Sequence, residues 1–252
     1  MKLKEIVQFL DDFLGIKDWE DKSNNGLQIE GKPEVRKIVF AVDACMDVFV
    51  RAKERDADMI IVHHGLIWGG IDYVRGIVKR RLKFLLDNEI SLYAVHLPLD
   101  AHPKVGNNAQ LLRLLEVEPE EQFGMYKGKP IGFYGKLENP MNLSEIVEIL
   151  RNKLSERLIV LDFGDEKIEI VGAVSGKGAF ALVEAIDKGL DLFITGEAEH
   201  SAYHLAKECG INVIFAGHYA TETLGVKALM NVIGEEFAGE IEVEFIDVPT
   251  GL

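Results

Sequence analysis

His63 and His64 stand side by side at the end of the apolar run Ile60-Ile61-Val62, and Gly65 follows them. Two later apolar runs end the same way. Leu92-Tyr93-Ala94-Val95 leads into His96-Leu97-Pro98-Leu99-Asp100, and Val213-Ile214-Phe215-Ala216 leads into Gly217-His218-Tyr219-Ala220-Thr221-Glu222. Imidazoles and carboxylates delivered together, with no thiolate among them, suit a divalent cation such as Zn, Fe, Mn, Co or Ni. His218 and Glu222 are four apart at the start of an expected helix, so they share a face and can reach one centre. Adjacent side chains of a regular strand point to opposite faces. The chain must therefore turn between His63 and His64, which Gly65 permits, or each histidine serves a different ion. The candidate ligands are His63, His64, Asp100, His218 and Glu222. Five exceed the three plus water of a usual catalytic zinc and suit two ions about 3.5–4 Å apart. A polar strand end with two hydrogen-bonded histidines is the competing reading of the first stretch; its recurrence on two further strands weighs against that.

Other residues rank second. His96 and His102 bracket Asp100, either as supports or substrate contacts or as ordinary surface or core histidines. Glu197 and His200 follow the strand Leu192-Phe193-Ile194-Thr195 and are candidate proton carriers or substrate contacts. His200 and His204 form an i, i+4 pair, a weak metal signal by itself. Ser175-Gly176-Lys177-Gly178 could cradle a phosphate at a helix start, but a plain glycine turn explains it equally well and is preferred. Nothing matches a Walker loop or a serine nucleophile elbow.

These residues need strands whose tips gather at one edge, the usual place for ligands in parallel α/β sheets. Ile6, Phe9, Leu10, Phe13 and Leu14 predict a first helix closed by Gly15. Ser23-Asn24-Asn25-Gly26-Leu27-Gln28 reads as a turn-rich loop. Strands are predicted at Ile38–Val42, at the His-His run and at Leu92, with helices over 45–56, 74–88 and 105–115. Residues 124–132 read as a crossover. Strands follow at Phe133, Leu158, Ile168, Leu192, Val213 and over 240–248, with helices starting at Asn142 or Ser144, over 199–209 and from Thr221. Cys45 reads as a helix start and Cys209 as a buried helix end.

The halves look like copies. Ile38–Val42 and Asp58–Val62 parallel Ile170–Val174 and Asp191–Thr195, at shifts of 132 and 133 positions. Chance likeness between βαβ units is the alternative. The expected fold is α/β: two related three-layer α/β/α units with mixed, largely parallel sheets and a metal cleft between them. The expected division is residues 1–123, completed by 217–252, and residues 124–216.

A chain of 252 residues, 48% hydrophobic, can bury a full core. No apolar run reaches the roughly 18–20 residues of a membrane span, and the N-terminus lacks a signal-peptide core. Two cysteines make no disulfide framework, so a reducing, cytoplasmic compartment is expected. The net charge of -14 disfavours nucleic acid, although Arg75, Lys79, Arg80, Arg81 and Lys83 cluster locally.

Ser23–Gln28, Val62–Gly65 with Trp68, His96–His102 and Gly217–Glu222 resemble the GTP cyclohydrolase I type 2 homologue family, dinuclear-metal proteins that include a yeast interactor of a transcriptional co-activator. The resemblance runs from the first helix to the last strand. It implies two divalent ions held by His63, His64, Asp100, His218 and Glu222, with Asp100 and Glu222 as bridges. It also implies a toroidal homohexamer, a trimer of dimers, lacking the lid domain some members insert. Two functions follow as expectations. One is a hydrolase that uses a metal-activated water on a small, nucleotide-like substrate. The other is a non-enzymatic, metal-stabilised ring that binds a protein partner or single-stranded nucleic acid.

Overall fold

The computed structural model describes residues 1–252. In chain order the strands are β1 (Gly26–Ile29), β2 (Lys37–Asp43), β3 (Met59–His64), β4 (Ser91–Ala94), β5 (Glu121–Tyr126), β6 (Lys129–Asn142), β7 (Ile159–Leu161), β8 (Lys167–Val174), β9 (Leu192–Thr195), β10 (Asn212–Phe215) and β11 (Glu242–Phe245). The helices are α1 (Leu3–Leu14), α2 (Met46–Glu54), α3 (Gly76–Asp87), α4 (Leu97–Asp100), α5 (Asn107–Arg113), α6 (Leu143–Lys153), α7 (Leu182–Asp187), α8 (His200–Cys209) and α9 (His218–Glu236).

One unit comprises Met1–Leu99 and Val226–Val248. Its sheet runs β1-β4-β3-β2-β11, with β11, β2, β3 and β4 parallel and β1 antiparallel on the edge. Alternation along the strands sorts the side chains to two faces. Val39, Ala41, Ile60, Val62 and Leu92 pack with Val48, Phe49 and Ala52 of α2 and Leu85 of α3. On the other face the Tyr93 hydroxyl donates to Asp11 of α1 at 2.8 Å. Burial first, then the Asp11 charge, pushes that phenol far above its usual range. Phe9 of α1 meets Phe237 edge-on. Gly15, at φ 58, closes α1 in the left-handed region.

The other unit comprises Asp100–Gly225 and Pro249–Leu252. Its sheet runs β5-β6-β8-β9-β10-β7; β8, β9 and β10 are parallel and the outer pairings antiparallel. Leu111 and Leu112 of α5 and Ile146 and Leu150 of α6 pack on Val171, Leu192, Ile194 and Ile214. Because α5 belongs to this core, the division falls at 99/100 and 225/226, away from the expected 123/124 and 216/217.

Residues 124–132 form a hairpin, not a crossover. Lys127 and Gly128 both have positive φ, 48° and 83°, the two-residue turn whose twist matches antiparallel strands. Gly26–Ile29 is likewise a strand paired to β4, where a loop was expected. Asn142 is the cap of α6, its amide donating to the Glu145 carboxylate at 2.8 Å. Cys45 caps α2 as expected, whereas Cys209 is exposed.

The two sheets share a four-strand frame: β1-β4-β3-β2 matches β7-β10-β9-β8 in order and direction. Small details repeat. The Asp58 carboxylate accepts from the Arg36 and Lys37 amides, as Asp191 does from Glu169 and Ile170. The Gly31 amide donates to Ser91 and the Gly164 amide to Asn212, both at 3.0 Å. Val95 N–H donates to Val62 and Ala216 N–H to Thr195. His63 and His64 therefore correspond to Gly196 and Glu197. Leu97 corresponds to His218.

Equivalent glycines give a test. A Cβ on Gly31 would lie 2.3 Å from the Glu89 carbonyl, and one on Gly164 2.8 Å from the Gly210 carbonyl. Gly31→Ala and Gly164→Ala should each cost about 1–3 kcal/mol by denaturant unfolding, with Gly31→Ala the more severe. Unchanged stability in both would refute the matched close approaches.

Candidate metal centre

The His63 ring is fully buried, and its Nδ1 lies 3.0 Å from the Val95 carbonyl oxygen. A carbonyl only accepts, so Nδ1 carries the hydrogen. His64 repeats this with a carboxylate: Nδ1 is 2.8 Å from Asp43 Oδ1. Asp43 and His64 are directly paired residues at the tips of β2 and β3. β3 runs through His64 without a turn, yet the His63 and His64 rings lie 4.7 Å apart. Of the two alternatives the turn is absent, and the bond to Asp43 holds the His64 ring at the strand end.

His96 joins them. Its Nδ1 sits 3.1 and 3.0 Å from the two oxygens of Asp21, and its ring is 5.1 Å from His63 and 5.7 Å from His64. The ligating nitrogens of His63, His64 and His96 lie within 4.8 Å of one another. Burial alone would raise the Asp21 carboxyl, but the His96 hydrogen bond and charge, with the Leu97 and Ser23 amides, hold it well below the usual range. Gln28 fixes the loop after the histidines, its Oε1 accepting from the Leu66 and Ile67 amides at 2.8 and 2.9 Å. Gly65 is required there, since a Cβ would lie 2.6 Å from the Ala94 Cβ.

The second unit carries the other candidates. His218 opens α9, its Nδ1 2.6 Å from Glu197 Oε1 and its Nε2 3.0 Å from Glu222 Oε1. The predicted i, i+4 face is present. Gly176 makes room for it: a Cβ there would lie 2.1 Å from Glu222 Oε1 and 3.1 Å from His218 Nε2. Burial pulls the His218 pKa down, but Glu222 and Glu197 together outweigh it and raise it to about 9. Asp100 is buried, and its Oδ1 accepts from Asn107 Nδ2 at 2.8 Å and Ser175 Oγ at 3.1 Å. Asn107 in turn accepts from the Gly225 amide at 2.7 Å.

Glu197 thus touches His218, while His200 stands exposed in a groove with Ile159, Leu161, Tyr203, His204 and Phe215. His102 orders its own loop, Nδ1 accepting from the Lys104 and Val105 amides. At Ser175-Gly176 the chain turns, Gly176 having φ 57°; Ser175 braces Asp100, and Gly176 clears space for Glu222. Asp21 and Asp43 went unread in the sequence, and Ser175 was read only as part of a glycine turn. Asp43 and Ser175 follow strands at the same carboxyl ends as the histidines, the signal that would have found them.

These donors fit a divalent cation. The imidazoles are held from behind at Nδ1, as ligating histidines are. Within the first unit three such rings cluster, and within the second His218 closes on a buried carboxylate.

A family model for Duf34/NIF3 (NGG1p interacting factor 3) matches residues 1–251. The chain belongs to the DUF34/NIF3 family. It is 60% identical over 252 residues to a protein of Archaeoglobus fulgidus named GTP cyclohydrolase 1 type 2 homolog, covering 100% of both chains. Among solved structures it resembles protein ybgI, with TM-score 0.92, 37% identity and 100% coverage of both chains. It also resembles TTHA1606 from Thermus thermophilus, with TM-score 0.89, 42% identity and 100% coverage of both. The resemblance read from Val62–Gly65 and Gly217–Glu222 therefore extends over the whole family fold.

In the cation-free protein His218 should titrate near 9, against 6.5 for an ordinary histidine. Its folded pKa is raised, so its contribution to stability is full below about 6.5 and is lost as pH climbs through about 9. Nuclear magnetic resonance should show Glu197→Gln lowering that titration. An unmoved His218 would remove Glu197 from the cluster.

Proposed function

We propose that this member of the DUF34/NIF3 family is a divalent-metal-dependent hydrolase, with two ions shared by His63, His64, Asp100, His218 and Glu222. The observation that carries the reading is the set of hydrogen bonds at Nδ1 of His63, His64 and His218, the way ligating histidines are held. Bound ions would polarise a substrate oxygen and lower the pKa of a water. The chain's residues supply the geometry. Asp43 orients His64, Glu197 orients His218, and Ser175 with Asn107 fixes Asp100. The ligand mix of imidazole and carboxylate supports Zn, Fe, Mn, Co or Ni.

A small, nucleotide-like substrate is the class the relatives' name suggests. The working form in this reading is a cytoplasmic homohexamer, a trimer of dimers. No helix is long and apolar enough to cross a membrane. Glu197 serves as a positioning residue rather than a proton carrier, and His200, in its own groove, takes no part.

One observation favours a second reading, the ring as a binding module. Trp68, Ile71, Tyr73, Val74 and Ile77 are all exposed, with Arg75 over the Tyr73 ring at 4.9 Å, a surface suited to a protein partner. The net charge of -14 weighs against nucleic acid as that partner.

Protein purified without added metal should retain divalent ions by elemental analysis. A panel of nucleotides and phosphoesters should then reveal turnover that Asp100→Ala and His64→Ala each reduce by more than about 100-fold, with the assembly intact. Turnover that persists in folded, metal-stripped protein would overturn the hydrolase. Partner binding that survives stripping, without any turnover, would select the binding module.

A further inference from the structure

His96 has more built around it than a loop histidine needs. The Asp21 side chain behind it is only 3% exposed and takes hydrogen bonds from His96 Nδ1, the Leu97 and Ser23 amides and Asn25 Nδ2. Burying a carboxylate costs on the order of several kcal/mol unless partners compensate, and here every partner bears on the placement of His96. The His96 amide is itself fixed by Asn25 Oδ1 at 2.8 Å. Trp68 packs edge-on against the ring at 5.0 Å, with its own Nε1 tied to the Gly65 carbonyl at 2.8 Å.

The result is a third imidazole with the same arrangement as His63 and His64. Each has Nδ1 held by a different acceptor: Val95, Asp43 and Asp21. Their ligating nitrogens lie within 4.8 Å of one another.

We propose that His96, positioned by Asp21, is an additional imidazole donor to the cation site, so that His63, His64 and His96 form a three-imidazole site within the first unit. The inference rests on the metal-dependent reading above and adds a residue to it. Imidazole donors with carboxylate or carbonyl support select borderline transition metals over Mg or Ca. The simpler alternative is that Asp21 and His96 only staple residues 21–25 to the end of β4.

Co(II) is the probe, because its visible absorption reports the number and kind of ligands. The metal-stripped full chain is titrated with Co(II) as wild type, His96→Ala, Asp21→Asn, His63→Ala and His102→Ala, with circular dichroism to verify folding. His96→Ala should weaken one Co(II) site by at least roughly 10–100-fold and change its bands, Asp21→Asn should weaken it less, and His102→Ala should match wild type. If His96→Ala does not fold, His96→Gln keeps a side-chain hydrogen-bonding group toward Asp21 and removes the imidazole. Wild-type affinity and spectrum in either folded His96 variant, while His63→Ala loses the site, would overturn this inference and leave the dinuclear reading standing. A wild type that takes up no Co(II) would overturn both.

Discussion

An imidazole has two nitrogens, and only a partner on one of them decides what the other can do. For four rings the partner sits behind, at Nδ1: the Val95 carbonyl for His63, Asp43 for His64, Asp21 for His96 and Glu197 for His218. Each bond fixes the orientation of its ring. The rest of the architecture supplies those acceptors at the right places. Val95 is at hand because β4 lies parallel to β3, and Asp43 because β2 ends level with His64. Asp21 is held by the chain that turns into β1.

The duplicated frame explains why the donors lie at strand ends without explaining which residues they are. Both copies use an aspartate to bind the amides of the preceding strand and a glycine to let a turn approach the third strand. At the tips they diverge. The first copy places His63 and His64 where the second has Gly196 and Glu197, so the second contributes a carboxylate that orients a histidine from its next loop. Repetition fixed the scaffold, and substitution at equivalent positions divided the chemistry between the copies.

Much of this was legible from spacing. β-branched runs ending in histidine marked β3, the i, i+4 pair marked His218 and Glu222, and the near-constant shift marked the repeat. Three features were not legible, each for a physical reason. The Lys127-Gly128 turn is decided by positive φ at a lysine, which composition does not reveal, so a hairpin read as a crossover. The boundary before Asp100 depends on α5 choosing the second sheet, a tertiary decision made by Leu111 and Leu112 on Val171 and Ile194. His96 looked ordinary because its partner, Asp21, lies far back in the chain and is brought to it only by folding. Contacts between residues distant in sequence leave no periodic trace.

The supports are also what make the donor set specific. Asp100 is gripped through one oxygen by Asn107 and Ser175, and Asn107 is gripped by α9 through Gly225, so its placement does not rest on its own short helix. Gly176 is required both by its positive φ of 57° and by the closeness of the Glu222 carboxylate. The most direct measurement of the central claim is anomalous scattering from crystals soaked in zinc or manganese. The account predicts ion peaks about 2.0–2.2 Å from Nε2 of His63, His64 and His218 and from the carboxylates of Asp100 and Glu222. No peak at these side chains, or ions bound at Nδ1 instead, would contradict it.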